Sequence, residues 1–214
     1  MPKAFVDNDV VLKLCRIGHL DDLSGCLGHT EADLAVLGSL RFVVGPRIGA
    51  DDPGRATFDT FLERVEEAEP TDAEIRLAAR MEEAAQHAGH AVDGGESLLF
   101  AMAAGRTARV ATSDKRAVEG LAAILAEVPD CGSLRGAVVT LEWLASALVL
   151  RHGVGSIRAA VCAAPGIDRT LCACFQCQRA SCTADDVRAA LGSYQRDLAR
   201  RADGLVGTDL AAAP

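Results

Sequence analysis

The sequence has few aromatic residues, few lysines and no long uncharged apolar run. Aromatic side chains make up 4% of the 214 residues, so the core must be built mainly from Ala, Leu and Val. Lysine occurs only at Lys3, Lys13 and Lys115, and arginine carries most of the positive charge. Uncharged apolar runs stay below the roughly 18 residues that a membrane-spanning helix needs. We therefore expect no membrane span.

The beginning of the sequence does not resemble a secretory signal. The start MPKAFVDNDVV is apolar for only a few residues before it meets Asp7. We therefore expect a cytoplasmic protein whose eight cysteines are reduced. The formal net charge of −8 does not favour nucleic acid as a partner. Bound cations can nevertheless reverse the local field of an acidic site.

Short apolar runs alternate with amphipathic segments, a pattern typical of a parallel sheet with helices on both faces. Strands are predicted over 4–6, 41–44, 109–112 and 137–141. Helices are predicted over 10–17, 21–27, 56–68, 95–104, 115–127, 142–151, 156–163 and 185–201. Another helix begins after Pro70, where Thr71 and Glu74 form a capping box. The sequence thus predicts a three-layer α/β/α domain over 1–168 and a cysteine-rich helical C-terminal extension over 169–214.

Three acidic residues stand where a strand meets a loop or a helix begins. Asp7 follows the strand AFV, Glu96 opens the helix after DGG, and Asp114 follows the strand RVATS. In open parallel sheets, ligands bind beyond the carboxyl ends of the strands, where the strand order reverses. We therefore expect these three side chains to converge there from distant parts of the chain.

Converging carboxylates repel each other, and at least one takes up a proton unless a cation is present. Mg²⁺ and Mn²⁺ prefer oxygen ligands, and a bound water becomes a usable nucleophile near neutral pH. Asp7, Glu96 and Asp114 are thus the candidate metal ligands and catalytic residues, with Asp9 and Asp93 as assisting acids. The alternative is that each acid only caps a helix or complements its dipole.

Three segments resemble the PIN-domain ribonuclease family: AFVDNDVVLKL, VDGGESLLFAMA and VATSDKRAV. The first resembles the family's opening strand with its aspartate, the second its acid-bearing helix start, and the third its strand ending in Thr-x-Asp. The resemblance implies a PIN-like fold and a Mg²⁺- or Mn²⁺-dependent endoribonuclease acting on RNA. It also implies that the chain is a candidate toxin with an antitoxin partner, and a candidate homodimer.

The sequence departs from the family at several places. Asp9 replaces a common Asn, and Lys115 and Arg116 stand where a further acid is common. Glu31 is the candidate for the family's glutamate on an early helix. These departures leave open a catalytically silent PIN-like module that binds RNA or protein. A second alternative is a HAD-like phosphohydrolase, in which Asp7 would be the nucleophile and Asp9 the general acid–base.

The C-terminal region contains a run of cysteines. Cys172, Cys174, Cys177 and Cys182 form the pattern C-x-C-x₂-C-x₄-C, and four thiolates can hold Zn²⁺ tetrahedrally. The alternative is that they are small buried apolar side chains. The other four cysteines are expected in the core. Lys115, Arg116 and Arg106 are candidate contacts for RNA phosphates near the acids, or else solvated charges.

Overall fold

A five-stranded parallel sheet lies at the centre of the computed structural model, which describes residues 3–50, 52–90, 92–164, 166–202 and 204–207. The strand order is β3-β2-β1-β4-β5, and all four neighbouring pairs are parallel. The strands are β1 (Ala4–Val6), β2 (Leu34–Leu37), β3 (Glu66–Ala68), β4 (Arg109–Thr112) and β5 (Val138–Thr140).

Ten α-helices are described in these residues, and several follow a strand directly. They are α1 (Asn8–Arg16), α2 (Leu23–Cys26), α3 (Leu40–Val43), α4 (Arg55–Arg64), α5 (Asp72–His87), α6 (Gly94–Gly105), α7 (Lys115–Ile124), α8 (Leu141–Ala163), α9 (Arg169–Cys174) and α10 (Ala184–Arg201). Short 3-10 segments span Leu20–Asp22, Glu31–Asp33, Gly45–Arg47 and Pro129–Leu134. In the described ranges, no helix combines the length and the apolarity that crossing a bilayer requires.

The sheet separates two hydrophobic clusters. Ala4 and Val6 of β1 belong to one cluster and Phe5 to the other, because successive side chains of a strand point to opposite faces. The first cluster contains residues of α1, α4 and α8, and the second contains residues of α5, α6 and α7. The arrangement is consistent with the predicted three-layer α/β/α fold.

The C-terminal segment packs into the same core. Leu171, Phe175 and Val187 are buried in the first cluster, and Leu198 is buried in the second. Val206 pairs in parallel with Val138 of β5. The amide of Val138 donates to Leu205 at 3.0 Å, and the amide of Gly207 donates back to Val138 at 3.1 Å. The region that differs in composition is therefore continuous in packing with residues 1–168.

The predicted strand over 41–44 is wrong, because these residues lie in α3 and the short segment after it. A central strand would bury both faces, yet Phe42 is 74% exposed and Val43 is 36% exposed. The predicted helix over 56–68 is too long, since α4 ends at Arg64 and Glu66–Ala68 pair with β2 as β3. The strands over 4–6 and 109–112 are confirmed to the residue.

The two helices predicted over 142–151 and 156–163 are joined in α8 by a kink. Gly153 lies inside this helix with φ 80° and ψ 154°, a conformation that glycine adopts without the strain of a Cβ atom. The capping box predicted at Thr71 and Glu74 is present. Thr30 caps the short segment Glu31–Asp33, which leads directly into β2.

Candidate functional site

The strand order reverses between β1 and β4. From β1 the chain proceeds outward to β2 and β3, then returns to β4 on the other side of β1 and continues to β5. The connections that leave β1 and β4 therefore diverge and open a crevice at the carboxyl edge of the sheet. Val6 pairs with Ala111, so Asp7 and Thr112 follow at the same level of the sheet.

Asp7 is a partly buried carboxylate with few partners to stabilise its charge. Its amide donates to the Ala111 carbonyl at 2.9 Å, and its Oδ2 accepts from the Thr112 hydroxyl at 3.3 Å. Asp7 precedes α1, but its side chain makes no cap hydrogen bond to that helix. Burial raises the pKa of Asp7 to about 6, the charge of Asp9 adds to this, and Thr112 and nearby backbone amides oppose it. The contacts at the start of α1 therefore do not offset the effect of burial on this acid.

Thr112 joins Asp7 to the segment that carries Asp114. Its side chain is buried, and its hydroxyl accepts from the amide of Asp114 at 3.1 Å while donating to Asp7. A hydroxyl has one donor and two acceptor sites, so it can make both bonds. The Thr-x-Asp spacing thus positions the end of β4 against the end of β1.

Asp114 caps α7 with one of its two carboxylate oxygens. Its Oδ1 accepts from the amide of Arg116 at 2.8 Å and from that of Ala117 at 3.1 Å. Oδ2 lies 3.5 Å from the Arg116 guanidinium. Burial raises the pKa of Asp114, but the two backbone amides and the Arg116 charge outweigh it, and the pKa is lowered. Asp114 therefore stays ionised near neutral pH.

Glu96 lies beside Asp114. It closes a capping box at the start of α6, where its Oε2 accepts from the Asp93 amide at 3.0 Å and its own amide donates to Asp93 at 2.9 Å. Burial raises the pKa of Glu96 to about 8, and the charges of Asp114 and Asp93 and a hydrogen bond with the Asp114 side chain contribute to this. Near neutral pH, Glu96 therefore carries a proton that it shares with Asp114.

The structure thus brings two of the three predicted acids into direct contact and connects the third through Thr112. The three acids do not form a tight triad. Among the described residues, the group of three potential ligands whose atoms all lie within 4.8 Å of one another is a different one, made of His19, Asp22 and His152. Mg²⁺ commonly keeps several waters and binds only one or two protein carboxylates. An all-oxygen set with a shared proton fits such a hydrated ion.

The assisting acids have partners of their own. Asp9 is half exposed and lies 3.5 Å from Arg47 and 4.0 Å from Lys13. Asp93 is exposed, and its Oδ1 caps α6. Glu31 precedes β2, at the other end of the sheet, and pairs with Arg64 at 3.1 Å. It therefore does not supply the glutamate that the family carries on an early helix.

An open pocket of about 250 Å³ lies beside Asp114. Two of the three lysines of the sequence line it, together with Asp9, Ser113, Arg116, Asp168 and Thr170. Lys13 donates to Ser113 at 2.9 Å and to Asp168 at 3.0 Å. The lysine charge is thus partly neutralised, whereas the Arg116 side chain is 84% exposed and contacts the Oδ2 atom of Asp114 at 3.5 Å.

Sequence reasoning missed Glu142 as a residue of this edge. Glu142 follows β5 almost at once, its side chain is 4% exposed, and it pairs with Lys115 at 2.5 Å. Lys115 also donates to Thr170 at 3.1 Å and lies 4.8 Å from the Tyr194 ring centroid. The rule that selected Asp7, an acid just after a buried strand, would also have selected Glu142. Arg106 lies away from this site. It follows the C-terminal end of α6, whereas Glu96 lies at the N-terminal end, and it pairs with Glu74 at 2.8 Å.

The predicted cysteine site requires a correction. Cys177 forms a disulfide with Cys162 of α8, so its sulfur cannot act as a thiolate ligand in this state, and the expectation that all eight cysteines are reduced is wrong for this pair. Cys174 is buried, Cys182 approaches the Phe175 carbonyl at 3.6 Å, and Cys172 is partly buried. In the described residues the four cysteines form no metal-binding group. The disulfide instead ties the segment after α9 to α8.

No protein-family model matches the sequence, and neither a curated protein nor a solved structure matches it. The likeness to the PIN family therefore stands on the three sequence segments.

Proposed function

We propose that this protein is a metal-dependent endoribonuclease of the PIN type, which hydrolyses phosphodiester bonds of RNA at the carboxyl edge of its sheet. The observation that carries the proposal is the meeting of Glu96 and Asp114 beside Asp7 at the reversal of strand order. The pKa of Asp7 and that of Glu96 are both raised, because burial and neighbouring carboxylates disfavour the ionised form of each. Perturbed acids that converge in a crevice are typical of catalytic sites.

Asp7, Glu96 and Asp114 would hold Mg²⁺ or Mn²⁺, directly or through water. When bound, the ion supplies a water of lowered pKa and offsets charge that develops on the phosphate. Glu96 loses its proton to solvent on binding, Thr112 keeps Asp7 oriented, and the α7 amides keep Asp114 ionised. Arg116 stands at the pocket rim within reach of a phosphate. Lys13 and Lys115 stabilise the lining of the pocket through their ion pairs with Asp168 and Glu142.

The test is cleavage of an end-labelled pool of single-stranded and hairpin RNAs in Mg²⁺, Mn²⁺ or EDTA. We expect metal-dependent cleavage by the wild type and a loss of at least about 100-fold in Asp7→Asn, Glu96→Gln and Asp114→Asn, since even residues behind metal ligands cost 10–100-fold. Asp59→Asn is the matched control, because Asp59 is an exposed acid on α4 paired with Arg55. Equal rates in the wild type and Asp7→Asn would refute the proposal.

A second candidate function is a catalytically silent module that binds RNA or protein. The observation that favours it is that Asp114 and Glu96 both take part in helix caps. In that case the wild type would show no metal-dependent cleavage at any pH, while a gel-shift assay would still detect binding to the RNA pool. The helix-cap contacts alone would then explain these two acids.

The narrower proposal of a toxin with an antitoxin partner rests on the family resemblance. Expression of the wild type would then arrest growth, and Asp7→Asn would not. Growth arrest by both forms alike would separate toxicity from the acidic site. A homodimer is proposed on the same basis, and sedimentation velocity tests it.

A further inference from the structure

Two histidines and one aspartate from distant parts of the chain meet away from the acidic crevice. Asp22 ends the segment Leu20–Asp22 and accepts from both imidazoles, with Oδ2 2.9 Å from His19 Nδ1 and Oδ1 2.9 Å from His152 Nε2. The ring centroids of His19 and His152 lie 4.9 Å apart with the planes tilted by 46°. All three ligand atoms fall within 4.8 Å of one another.

The cluster lies at the end of the sheet opposite the acidic crevice. Helices α1 and α8 both begin at the carboxyl ends of strands, directly after β1 and β5. His19 follows α1, which is roughly 12 Å long, and His152 lies roughly 16 Å along α8 at the usual rise per residue. The Leu27 carbonyl near this cluster accepts from Arg109, the first residue of β4. Ligands at the two ends therefore do not share residues.

We propose that His19, Asp22 and His152 form a site for a divalent cation of the imidazole-preferring class, represented by Zn²⁺ and Co²⁺. Two imidazoles with one carboxylate and a solvent-facing position are a common donor set for such ions. The proposal does not depend on the nuclease function.

The geometry needs little change to admit the ion. Bonds of 2.0–2.1 Å in a tetrahedral arrangement separate neighbouring ligand atoms by about 3.3 Å. Each imidazole nitrogen is already 2.9 Å from an oxygen of Asp22, and the ligand atoms all lie within 4.8 Å of one another, so the two rings need only to draw together around the ion. To bind the ion, each ring must present an unprotonated nitrogen to it and carry its one proton on the other nitrogen.

Charge and access also fit the ion. Burial raises the pKa of Asp22, but hydrogen bonds and charge from His19 and His152 outweigh it, so the pKa is lowered and the carboxylate is ionised near neutral pH. The His19 side chain is 13% exposed and that of His152 is 36% exposed, so water can reach the open coordination position. Arg151, next to His152 in α8, donates to the Gly25 carbonyl of α2 at 2.7 Å and so joins α8 to the helix that follows Asp22.

The ion would fasten the segment after α1 to α8. His152 immediately precedes Gly153, where α8 is kinked, so the ion would hold the residue at which the helix changes direction. The histidines are far apart in sequence, and a link between such positions restricts the unfolded chain strongly. Binding therefore predicts an increase in thermal stability.

The test uses the full-length chain carrying both Asp7→Asn and Glu96→Gln, which removes charge from the acidic crevice. We expect this chain to bind one Co²⁺ with visible ligand-field absorption and to be stabilised by Zn²⁺ in thermal unfolding. His19→Gln and His152→Gln should weaken binding by at least about 10-fold and abolish the thermal shift. His87→Gln, at the exposed end of α5, is the control and should bind normally.

Three outcomes would overturn the proposal: no Co²⁺ absorption in the wild-type chain, unchanged binding in His152→Gln, or binding lost only when the crevice acids are changed. The wild-type measurement decides the matter even if a histidine variant fails to fold. Loss of RNA cleavage in the acid variants, with Co²⁺ binding retained, would separate the two sites.

Discussion

Glu96 and Asp7 at the carboxyl edge of the sheet differ from Asp22 at the other end in the direction of their pKa shifts. At the carboxyl edge, Glu96 meets another acid and Asp7 meets only a hydroxyl and nearby amides, so the pKa of each is raised. At the other end, Asp22 meets two imidazoles, and its pKa is lowered. The ionised form of a carboxylate is thus disfavoured at Asp7 and Glu96 and favoured at Asp22. The partner of each carboxylate, and not burial alone, therefore sets the direction of its pKa shift.

The largest expected effect tests an acid at the carboxyl edge that does have a partner. Lys115→Met leaves Glu142 buried without its cation, and we expect unfolding to become easier by about 3–5 kcal/mol in urea titrations. Arg116→Met, which removes a neighbouring exposed cation, should change stability by no more than about 0.5 kcal/mol. If both variants are equally stable, the Lys115–Glu142 pair does not hold this edge together.

The next effect has the opposite sign. Asp7→Asn should stabilise the metal-free protein at pH 8, because the folded chain then no longer carries a poorly solvated charge. A folded pKa of about 6 against the ordinary value of 3.8 corresponds to at most about 3 kcal/mol.

The raised pKa fixes the pH window of that gain. The wild type is favoured by protonation of Asp7 below pH 3.8 and loses this advantage as the pH rises through about 6. The gain of Asp7→Asn should therefore shrink below pH 6 and vanish near pH 4, as followed by thermal unfolding in EDTA. A constant gain from pH 4 to 8 would contradict a buried, titrating Asp7. Asp59→Asn should show no such trend.

Cation binding at the crevice should depend on pH. The pKa of Glu96 is raised to about 8, so Mn²⁺ must displace its proton, and affinity should rise about tenfold per pH unit between pH 6 and 8. Isothermal titration in buffers of different ionisation enthalpy measures both the affinity and the released proton. Glu96→Gln should flatten this dependence. A steep dependence that survives in Glu96→Gln would assign the proton to another group.

The smallest effect is expected at the opposite end. Asp22→Asn should destabilise the metal-free protein by about 1 kcal/mol at pH 7, because a partly exposed pair is screened by solvent. The lowered pKa means that this stability is present above pH 3.8 and is lost as the pH falls below it. Urea unfolding at pH 7 and pH 3 measures the difference. If Asp22→Asn stabilised the protein at pH 7, as Asp7→Asn is expected to do at pH 8, the two carboxylates would not differ as stated.

Much of the fold was predictable where local signals are strong. β4 has a run of small and apolar residues before Ser-Asp, and α5 and α10 begin with capping residues and keep helical spacing. β3 carries no such signal. Its sequence is Glu-Glu-Ala, and its position depends on distant partners, with Glu66 paired to Lys3 and Glu67 paired to Arg41. Tertiary pairing of this kind cannot be inferred from a local pattern.

The site was predictable residue by residue but not as an arrangement. Asp7, Glu96 and Asp114 were each selected by their place after a strand or at a helix start. The Thr112 bridge and the Lys115–Glu142 pair depend on strand register and on the turn after β5. The His19, Asp22 and His152 cluster joins positions that share no sequence motif, so only the three-dimensional structure could reveal it.

The bridge between Val206 and Val138 has a consequence for self-association. The amide and the carbonyl of Val138 bond to Leu205 and Gly207, so these two backbone groups on the outer side of β5 are not free to pair with another chain. On the far side, β3 presents two glutamates, which discourage pairing with a copy of itself. If two copies assemble, they are thus expected to meet through helices, with no continuous sheet running between them.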